Sequence, residues 1–120
     1  MAAIMDPLEA IYQRGFALRC EGRYAEAKSL LQQVTAKDPT HMNARHQLGL
    51  IQGFEGDFDA SLATLSQLAN AAPSDTEIRY DLAMTQMMLG LVDEACSNFK
   101  AILTVNPKHE KALQQSVYCQ

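Results

Sequence analysis

Apolar residues recur along the chain at steps of three and four positions, which is the period of a helix with one buried face and not that of a strand. The same pattern returns every 34 residues. When the repeats are aligned at this step, turn-forming residues fall in two columns of equivalent positions: Gly22, Gly56 and Gly90, and Pro39, Pro73 and Pro107. Four columns of apolar or small residues keep this step: Tyr24, Phe58 and Val92; Ala27, Ser61 and Ala95; Leu31, Leu65 and Phe99; and Val34, Leu68 and Ile102. The step predicts an array of three helical repeats.

Each repeat is long enough for two helices joined by a short turn. The glycine column ends each first helix, because glycine adopts the left-handed backbone that closes a helix, and proline prevents each second helix from continuing. Asp6 before Pro7 predicts a capped start for the first helix, and the segment Ser74–Glu77 does so for the fifth. The predicted helices span Leu8–Glu21, Tyr24–Lys37, Met42–Glu55, Phe58–Ala71, Thr76–Leu89 and Val92–Val105.

These boundaries divide one domain into an N-terminal tail and helix cap at 1–7, repeats at 8–41, 42–75 and 76–109, and a partial capping helix at 110–120. In the capping helix, Leu113 and Val117 are predicted to pack on the third repeat, while Gln114, Gln115 and Gln120 face water. Terminal repeats need a cap with a polar outer side. Because so few apolar residues hold this cap, we expect it either to dock on its own repeat or to be exchanged with a second chain. The predicted oligomeric state is a monomer or a weak homodimer.

Composition and charge exclude several classes of partner. Of the 120 residues, 48% are hydrophobic, and ten basic against fourteen acidic side chains give a net charge of −4. An acidic chain lacks the excess of positive charge that is typical of a protein that binds nucleic acid or an anionic membrane. No apolar run approaches the roughly 18 residues of a membrane span, and residues 1–5 lack the positive region of a signal peptide. We expect no nucleic-acid binding, no membrane insertion and a cytoplasmic location.

The middle repeat is the most acidic in net charge, because each repeat has four acidic residues but the middle one has a single basic residue, and Glu55, Asp57 and Asp59 surround its turn. This cluster is either an ordinary solvated surface or a docking site for a basic segment of a partner.

The three cysteines, Cys20, Cys96 and Cys119, cannot all pair, and none is spaced as in a CxxC motif or a Cys/His metal site. Neither a disulfide framework nor a zinc site is therefore predicted, and a reducing compartment is the expected environment.

No catalytic constellation is recognisable in the sequence. His41 and His109 occupy equivalent loops between repeats and are interpreted as solvated or capping residues, and His46 has no local Asp, Cys or Ser partner. Cys20 is a candidate nucleophile, but no neighbour in the register would activate it. Phosphate loops and hydrolase motifs are missing as well. We expect a protein that is not an enzyme and that requires no metal or cofactor.

The 34-residue helix-turn-helix period resembles the tetratricopeptide repeat over residues 8–109. The resemblance rests on glycine at the turn, proline at the end and two columns of small residues: Gly15, Gly49 and Ala83, and Ala27, Ser61 and Ala95. Ile11, Arg45 and Arg79 depart from it, since a large aromatic residue usually fills that position. Either the aliphatic parts of the two arginine side chains pack there with their guanidinium groups in solvent, or the arginines pair with an acid such as Asp81. RNA-reading pentatricopeptide repeats are disfavoured by the acidic charge.

The resemblance implies an all-α, right-handed α-solenoid whose first helices line a concave groove for extended peptides or single helices. The implied groove residues are rich in aromatic and methionine side chains, which accept apolar partners of varied shape. Several of them could instead pack in the core between adjacent first helices. The groove residues are Tyr12, Phe16, Arg19, His46, Leu50, Phe54, Tyr80, Met84 and Met88.

We therefore predict a non-catalytic scaffold that binds a protein or peptide in an apolar groove. One alternative is a chaperone for a secreted or membrane client, and another is the recruiting region of a larger enzyme. The clamp with which some family members hold acidic chaperone tails is not matched here, because its positions carry Tyr12, Phe16, Gln47, Glu77 and Asp81. Two carboxylates at these positions would repel an acidic ligand.

Overall fold

The computed structural model describes residues 6–119, and within them the fold is all-α, with seven helices and no strand. Predictions made for residues 1–5 and for Gln120 lie outside the described residues. The helices are α1 (Pro7–Cys20), α2 (Tyr24–Lys37), α3 (Met42–Phe54), α4 (Phe58–Ala71), α5 (Thr76–Met88), α6 (Val92–Val105) and α7 (Glu110–Ser116).

The second helix of each repeat has the bounds that the sequence predicts, and each first helix ends one residue earlier than predicted. The predicted last residues, Glu21, Glu55 and Leu89, are the C-caps. The turn glycines that follow them have φ values of 78° to 94°. This region of backbone conformation strains any residue with a side chain, so the glycine column is a requirement of the turn.

Aspartate or histidine side chains cap the N-termini of α1, α3, α5 and α7. Asp6 accepts hydrogen bonds from the backbone N–H groups of Leu8 and Glu9, as the sequence predicts for this cap. Asp75 caps α5 in the same way. His41 caps α3, and its Nδ1 accepts the N–H of Ala44 at 3.0 Å. His109 repeats this arrangement at α7, where Nδ1 accepts the N–H of Ala112 at 3.1 Å. The interpretation of both histidines as capping residues is confirmed.

The chain forms two compact units, Met1–Gly56 and Asp57–Gln120. In the N-terminal unit, α1 packs against α2 and α3, and α2 packs against α3. In the C-terminal unit, α4 packs against α5, α5 against α6, and α6 against α7. Because the division falls at Gly56, it lies inside the predicted repeat 42–75.

The core of the N-terminal unit depends on a close approach of α1 and α2. A Cβ atom added to Gly15 would lie 2.9 Å from Cγ of Leu31, whose side chain is fully buried. Ala27, the small residue on α2, is also fully buried. The rest of the core, with Tyr12, Leu18, Val34, Ala44 and Ile51, surrounds this contact.

The C-terminal unit repeats this arrangement with alanines. Ala83 of α5 and Ala95 of α6 are both fully buried, in one cluster with Phe99, Ile102 and Ala112.

Arg79 provides a polar connection between α5 and α6. Its guanidinium donates to Oδ1 of Asn98 at 2.9 Å and to the carbonyl of Pro73 at 3.2 Å. Asn98 in turn donates to Oε1 of the buried Gln86 at 2.7 Å. The arginine thus occupies the usual aromatic position and pairs with a half-buried amide oxygen and a backbone carbonyl.

The C-terminal segment packs with a different face from the one that the sequence predicts. Ala112 is fully buried, whereas Leu113 is 46% exposed and Val117 is 64% exposed. Ser116 and Cys119 follow Ala112 at helical spacing and are half-buried. The prediction was wrong because it gave the inner face to the largest apolar residues, whereas the face that packs on α6 carries the smaller residues Ala112 and Cys119.

The expectation that the cysteines remain unpaired is also wrong. Cys96 of α6 and Cys119 form a disulfide across 23 positions of sequence, with a Cα–Cα distance of 5.6 Å, and Cys20 is free. Local spacing could not reveal this pair, because the packing of the C-terminal segment against α6 brings the two residues together.

Within residues 6–119, none of the helices is both long enough and apolar enough to cross a membrane.

Replacing Gly15 with alanine tests the close approach of α1 and α2. Alanine in a helix interior is favoured over glycine by about 1 kcal/mol, but forcing a methyl group against the buried Leu31 costs about 1 to 3 kcal/mol. We expect Gly15→Ala to lower the free energy of unfolding by about 1 kcal/mol in urea denaturation. Adding Leu31→Ala supplies the control: the new methyl group then occupies vacated space, so the two substitutions should be coupled favourably. A stabilised Gly15→Ala protein without coupling would contradict the contact.

Replacing His41 tests the histidine cap. We expect His41→Ala to lower the free energy of unfolding by about 1 kcal/mol, because the N–H of Ala44 loses its acceptor. His41→Asn is the matched control, since asparagine is a good N-cap residue, and it should retain most of the stability. Equal thermal unfolding of the two variants would show that capping is not the role of this side chain.

Candidate partner-binding surface

In the N-terminal unit, α1 presents a partly exposed aromatic residue above a buried one. Tyr12 is only 7% exposed and belongs to the core, so its predicted place in the groove is corrected: it supports the surface from beneath. Phe16 is half-buried, with its ring 6.2 Å from that of Tyr12. The guanidinium of Arg19 lies over Phe16, 5.3 Å from the ring centroid. A cation over the face of an aromatic ring is electrostatically attracted to it, so Arg19 restrains this part of the surface.

The predicted residues of α3 do not all share one environment. His46 and Leu50 are half-buried. Phe54 is 53% exposed, and its ring stacks on Tyr24 of α2 with centroids 5.3 Å apart. Phe54 therefore lies beside the first residue of a second helix, where the ion pair between Lys28 and Glu55, 2.6 Å apart, also forms.

In the C-terminal unit, α5 carries an apolar stripe that becomes more exposed along the helix. Tyr80 and Met84 are half-buried, and Met88 is 66% exposed. Tyr80 is held by Phe99, with ring centroids 6.0 Å apart, and by Lys111, whose Nζ lies 5.7 Å from the tyrosine ring centroid. The stripe thus begins at a fixed aromatic ring and ends in a flexible, polarisable side chain that can adapt to a partner.

Both units also contain a matching group of a glutamate, a tyrosine and a capping histidine. Since Nδ1 of each histidine accepts a backbone N–H, the ring proton is assigned to Nε2. In the N-terminal unit, Nε2 of His41 lies 3.8 Å from a carboxylate oxygen of Glu9, and its ring lies 5.1 Å from that of Tyr12.

In the C-terminal unit, Nε2 of His109 lies 3.9 Å from Glu77, and its ring lies 5.9 Å from that of Tyr80. The two groups place a carboxylate beside an aromatic ring in each unit. The sequence analysis treated these residues separately and missed the grouping.

The tyrosines of these groups have raised pKa values. Burial raises the pKa of Tyr12, and the nearby charge of Glu9 adds to the effect. Burial also raises the pKa of Tyr80, with the charges of Asp81 and Glu77 acting in the same direction. Both hydroxyls are therefore protonated donors at neutral pH.

Gln47 of α3 is 5% exposed, and its buried Oε1 has no hydrogen-bond partner. A buried acceptor that is left unpaired costs about 1 to 3 kcal/mol. Gln47 lies on the same face of α3 as the core residues Ala44 and Ile51.

The described residues hold no group of three or more His, Cys, Asp or Glu side chains that could bind a metal ion. Part of the acidic turn of the middle repeat has structural roles. Glu55 pairs with Lys28, and Asp57 accepts the N–H of Ala60 at the start of α4. Cys20 is exposed, and the Nη2 atom of Arg19 lies 3.5 Å from its Sγ.

Several solved structures share this fold, each with less than 25% sequence identity. MamA from Desulfovibrio magneticus RS-1 is 22% identical, with a TM-score of 0.81, over 92% of this chain and 63% of that one. YrrB, described as a TPR protein with an unusual peptide-binding site, is 21% identical, with a TM-score of 0.79, over 92% of this chain and 57% of that one. The chain spans about three fifths of the length of the MamA chains that it matches.

PcrH, solved in complex with the chaperone binding region of PopB, matches over nearly its whole length. It is 22% identical, with a TM-score of 0.79, and the match covers 98% of this chain and 97% of that one. A second structure, PcrH from Pseudomonas aeruginosa, gives the same identity and TM-score. No curated protein sequence matches the chain significantly.

Two family profiles match the sequence itself, and both are described as the tetratricopeptide repeat. One covers residues 8–41 and the other residues 54–117, which is more than half of the chain. The chain belongs to the tetratricopeptide repeat family.

Proposed function

We propose that the chain is a non-catalytic interaction module that binds a peptide or a single helix of a partner protein on the exposed side of its first helices. The observation that carries this proposal is the stripe on α5, in which Tyr80 and Met84 lead to Met88, 66% exposed. An apolar side chain so exposed gains free energy when a partner covers it. Methionine also adjusts its shape to different apolar surfaces.

In the N-terminal unit, Phe16 and Leu50 supply the apolar part of the proposed surface, with His46 and Arg19 as its polar residues. Tyr12 supports Phe16 from the core and is not proposed to contact the partner. Phe54 is exposed beside Tyr24, and we assign it to the margin of the surface because its ring is already stacked on α2.

Polar groups determine which partners the proposed surface favours. Glu9 and Glu77 present carboxylates beside Tyr12 and Tyr80, and the side chain of Glu77 is 67% exposed. These carboxylates accept hydrogen bonds from backbone N–H groups or from basic side chains of a partner. They disfavour an acidic peptide, because like charges repel.

The chaperone alternative is supported by one specific observation. PcrH, solved with the chaperone binding region of PopB, matches this chain almost end to end, with 98% and 97% of the two chains covered. Under this alternative the partner is an apolar segment that aggregates when it is unbound. Recruitment of substrates to a larger enzyme stays a prediction from the family resemblance.

The remaining parts of the proposal follow from charge and chemistry. With fourteen acidic and ten basic side chains, the chain is proposed to bind protein and not nucleic acid. It is proposed to act without a metal or cofactor, in the cytoplasm, as a monomer or a weak homodimer.

Replacing Met88 tests the proposed surface. Twelve-residue peptides would be selected from a random display library on the wild-type protein, and the most enriched ones measured by fluorescence anisotropy. We expect Met88→Lys to weaken their binding about tenfold or more, since a buried methionine contributes roughly 1.5 to 3 kcal/mol and 1.4 kcal/mol corresponds to a factor of ten.

The matched control is Val105→Lys, which introduces the same charge at the end of α6, a second helix. Val105 is 63% exposed, nearly the same fraction as Met88. Its substitution should leave peptide affinity and thermal stability unchanged. The proposal fails if both variants bind equally well, or if no peptide binds the wild-type protein saturably.

A further inference from the structure

The disulfide links α6 to the C-terminal segment, residues 110–119, which has little other attachment to the rest of the protein. Cys96 lies within α6, and Cys119 follows α7 by three residues. Between these anchors α7 has only seven residues, which is far below the length at which an isolated helix is stable in water. The attachment of residues 110–119 must therefore come from packing or from the covalent bridge.

Packing supplies little of this attachment. Ala112 is the buried residue of α7, while Leu113, Val117 and Tyr118 are each at least 46% exposed. Further contacts include the cap at His109, the position of Lys111 over Tyr80, and the half-buried Ser116 and Cys119. One fully buried methyl group and several half-exposed side chains contribute little compared with the chain entropy that ordering ten residues removes. The bridge is the strongest hold on this segment.

The surface that this segment covers is strongly apolar. Ala112 packs in one cluster with Ala83, Phe99 and Ile102, and Tyr80 lies at the margin. Phe99 is 1% exposed and Ile102 is fully buried. If residues 110–119 leave α6, part of this cluster meets solvent. Release of residues 110–119 would therefore give the C-terminal unit an open apolar end.

A cavity gives solution access to the bridge. Its volume is about 860 Å³, and both cysteines line it together with residues of α6 and the C-terminal segment, among them Val92, Leu103 and Tyr118. Both cysteine residues are only half-buried. A thiol reagent can therefore reach the sulfur atoms without unfolding of the core, which is the condition that separates an exchangeable disulfide from a sealed structural one.

We propose that Cys96 and Cys119 form a reversible redox site, and that a dithiol reductant entering through this cavity releases residues 110–119 from α6. A thiolate of the reductant attacks one sulfur of the bridge and forms a mixed disulfide, and the other sulfur leaves as a thiolate that takes up a proton. The second thiol of the reductant then closes its own disulfide and frees the remaining cysteine. The protein gains two electrons and two protons, and the reductant loses them.

The released state differs from an unfolded state. The close approach of Ala83 and Ala95 and the Arg79 connection both join α5 to α6 without the C-terminal segment. These contacts remain after reduction, so the helix pair stays folded while its end opens. The proposal does not depend on the partner-binding surface, since it concerns the attachment of the segment.

The test uses the full chain with Cys20→Ser, which removes the free, exposed cysteine and prevents disulfide exchange with it. Hydrogen exchange measured by mass spectrometry compares the form oxidised with glutathione disulfide and the form reduced with dithiothreitol. We expect reduction to accelerate exchange in residues 110–119 by about tenfold or more, because the bridge constrains a loop of this length strongly. Residues 7–37 should be unchanged. Reoxidation should restore the slow exchange.

The matched control adds Cys119→Ser, which removes the bridge permanently. This variant should exchange rapidly at 110–119 in both buffers, which separates loss of the bridge from other effects of the reductant. Three results would overturn the proposal: equal exchange of 110–119 in all forms, two free thiols persisting after oxidation, or loss of protection throughout residues 76–105 on reduction. The last result would identify the bridge as a structural requirement of the helix pair.

Discussion

The packing in each unit depends on how closely two neighbouring helices can approach. At Gly15 the backbone of α1 comes so near to Leu31 that even a methyl group would lie 2.9 Å from the leucine side chain. Ala83 and Ala95 fulfil the same condition in the C-terminal unit, where both are fully buried. Because small residues occupy the contact, large ones such as Leu31 and Phe99 fill the space beside it. The second helices therefore give their apolar sides to the core, and the first helices keep partly exposed apolar residues such as Phe16 and Met84.

The loops between repeats contribute to the surface as well as to the ends of helices. A histidine that accepts the first free N–H groups of a helix must place its ring next to that helix terminus. In both units this position brings the ring against a tyrosine and the other ring nitrogen toward a glutamate. For capping alone, an aspartate would serve equally well, as Asp75 shows at the start of α5. Histidine adds an aromatic contact that aspartate cannot provide.

Tyr80 connects the two proposals in space. Its ring begins the apolar stripe of α5, and it also contacts His109 and Lys111, the cap and the second residue of α7. The segment that the disulfide is proposed to retain thus begins beside a surface that is proposed to bind a partner. If reduction releases this segment as proposed, it changes the surroundings of the Tyr80 ring.

The sequence by itself determined the 34-residue period, the bounds of the second helices, the glycine turns and the cap at Asp6. These features follow from local backbone preferences and from the helical spacing of apolar residues, which a single chain segment already contains. The small residues at positions 15 and 83 were recognisable for the same reason, since they fall in one column of the register. The family, and with it a general role in protein binding, followed from these columns.

Only the tertiary structure decided which side chains are covered and which are paired. Helical spacing shows that Leu113 and Val117 share a face, but in the structure Ala112 is the residue buried against α6. Tyr12 belongs to the groove by register and to the core by burial, because exposure depends on the neighbouring helices and not on the helix itself. Cys96 and Cys119 are far apart in sequence and carry no spacing motif. Their pairing exists because the segment after α7 returns to α6, and a contact of that kind is created by packing alone.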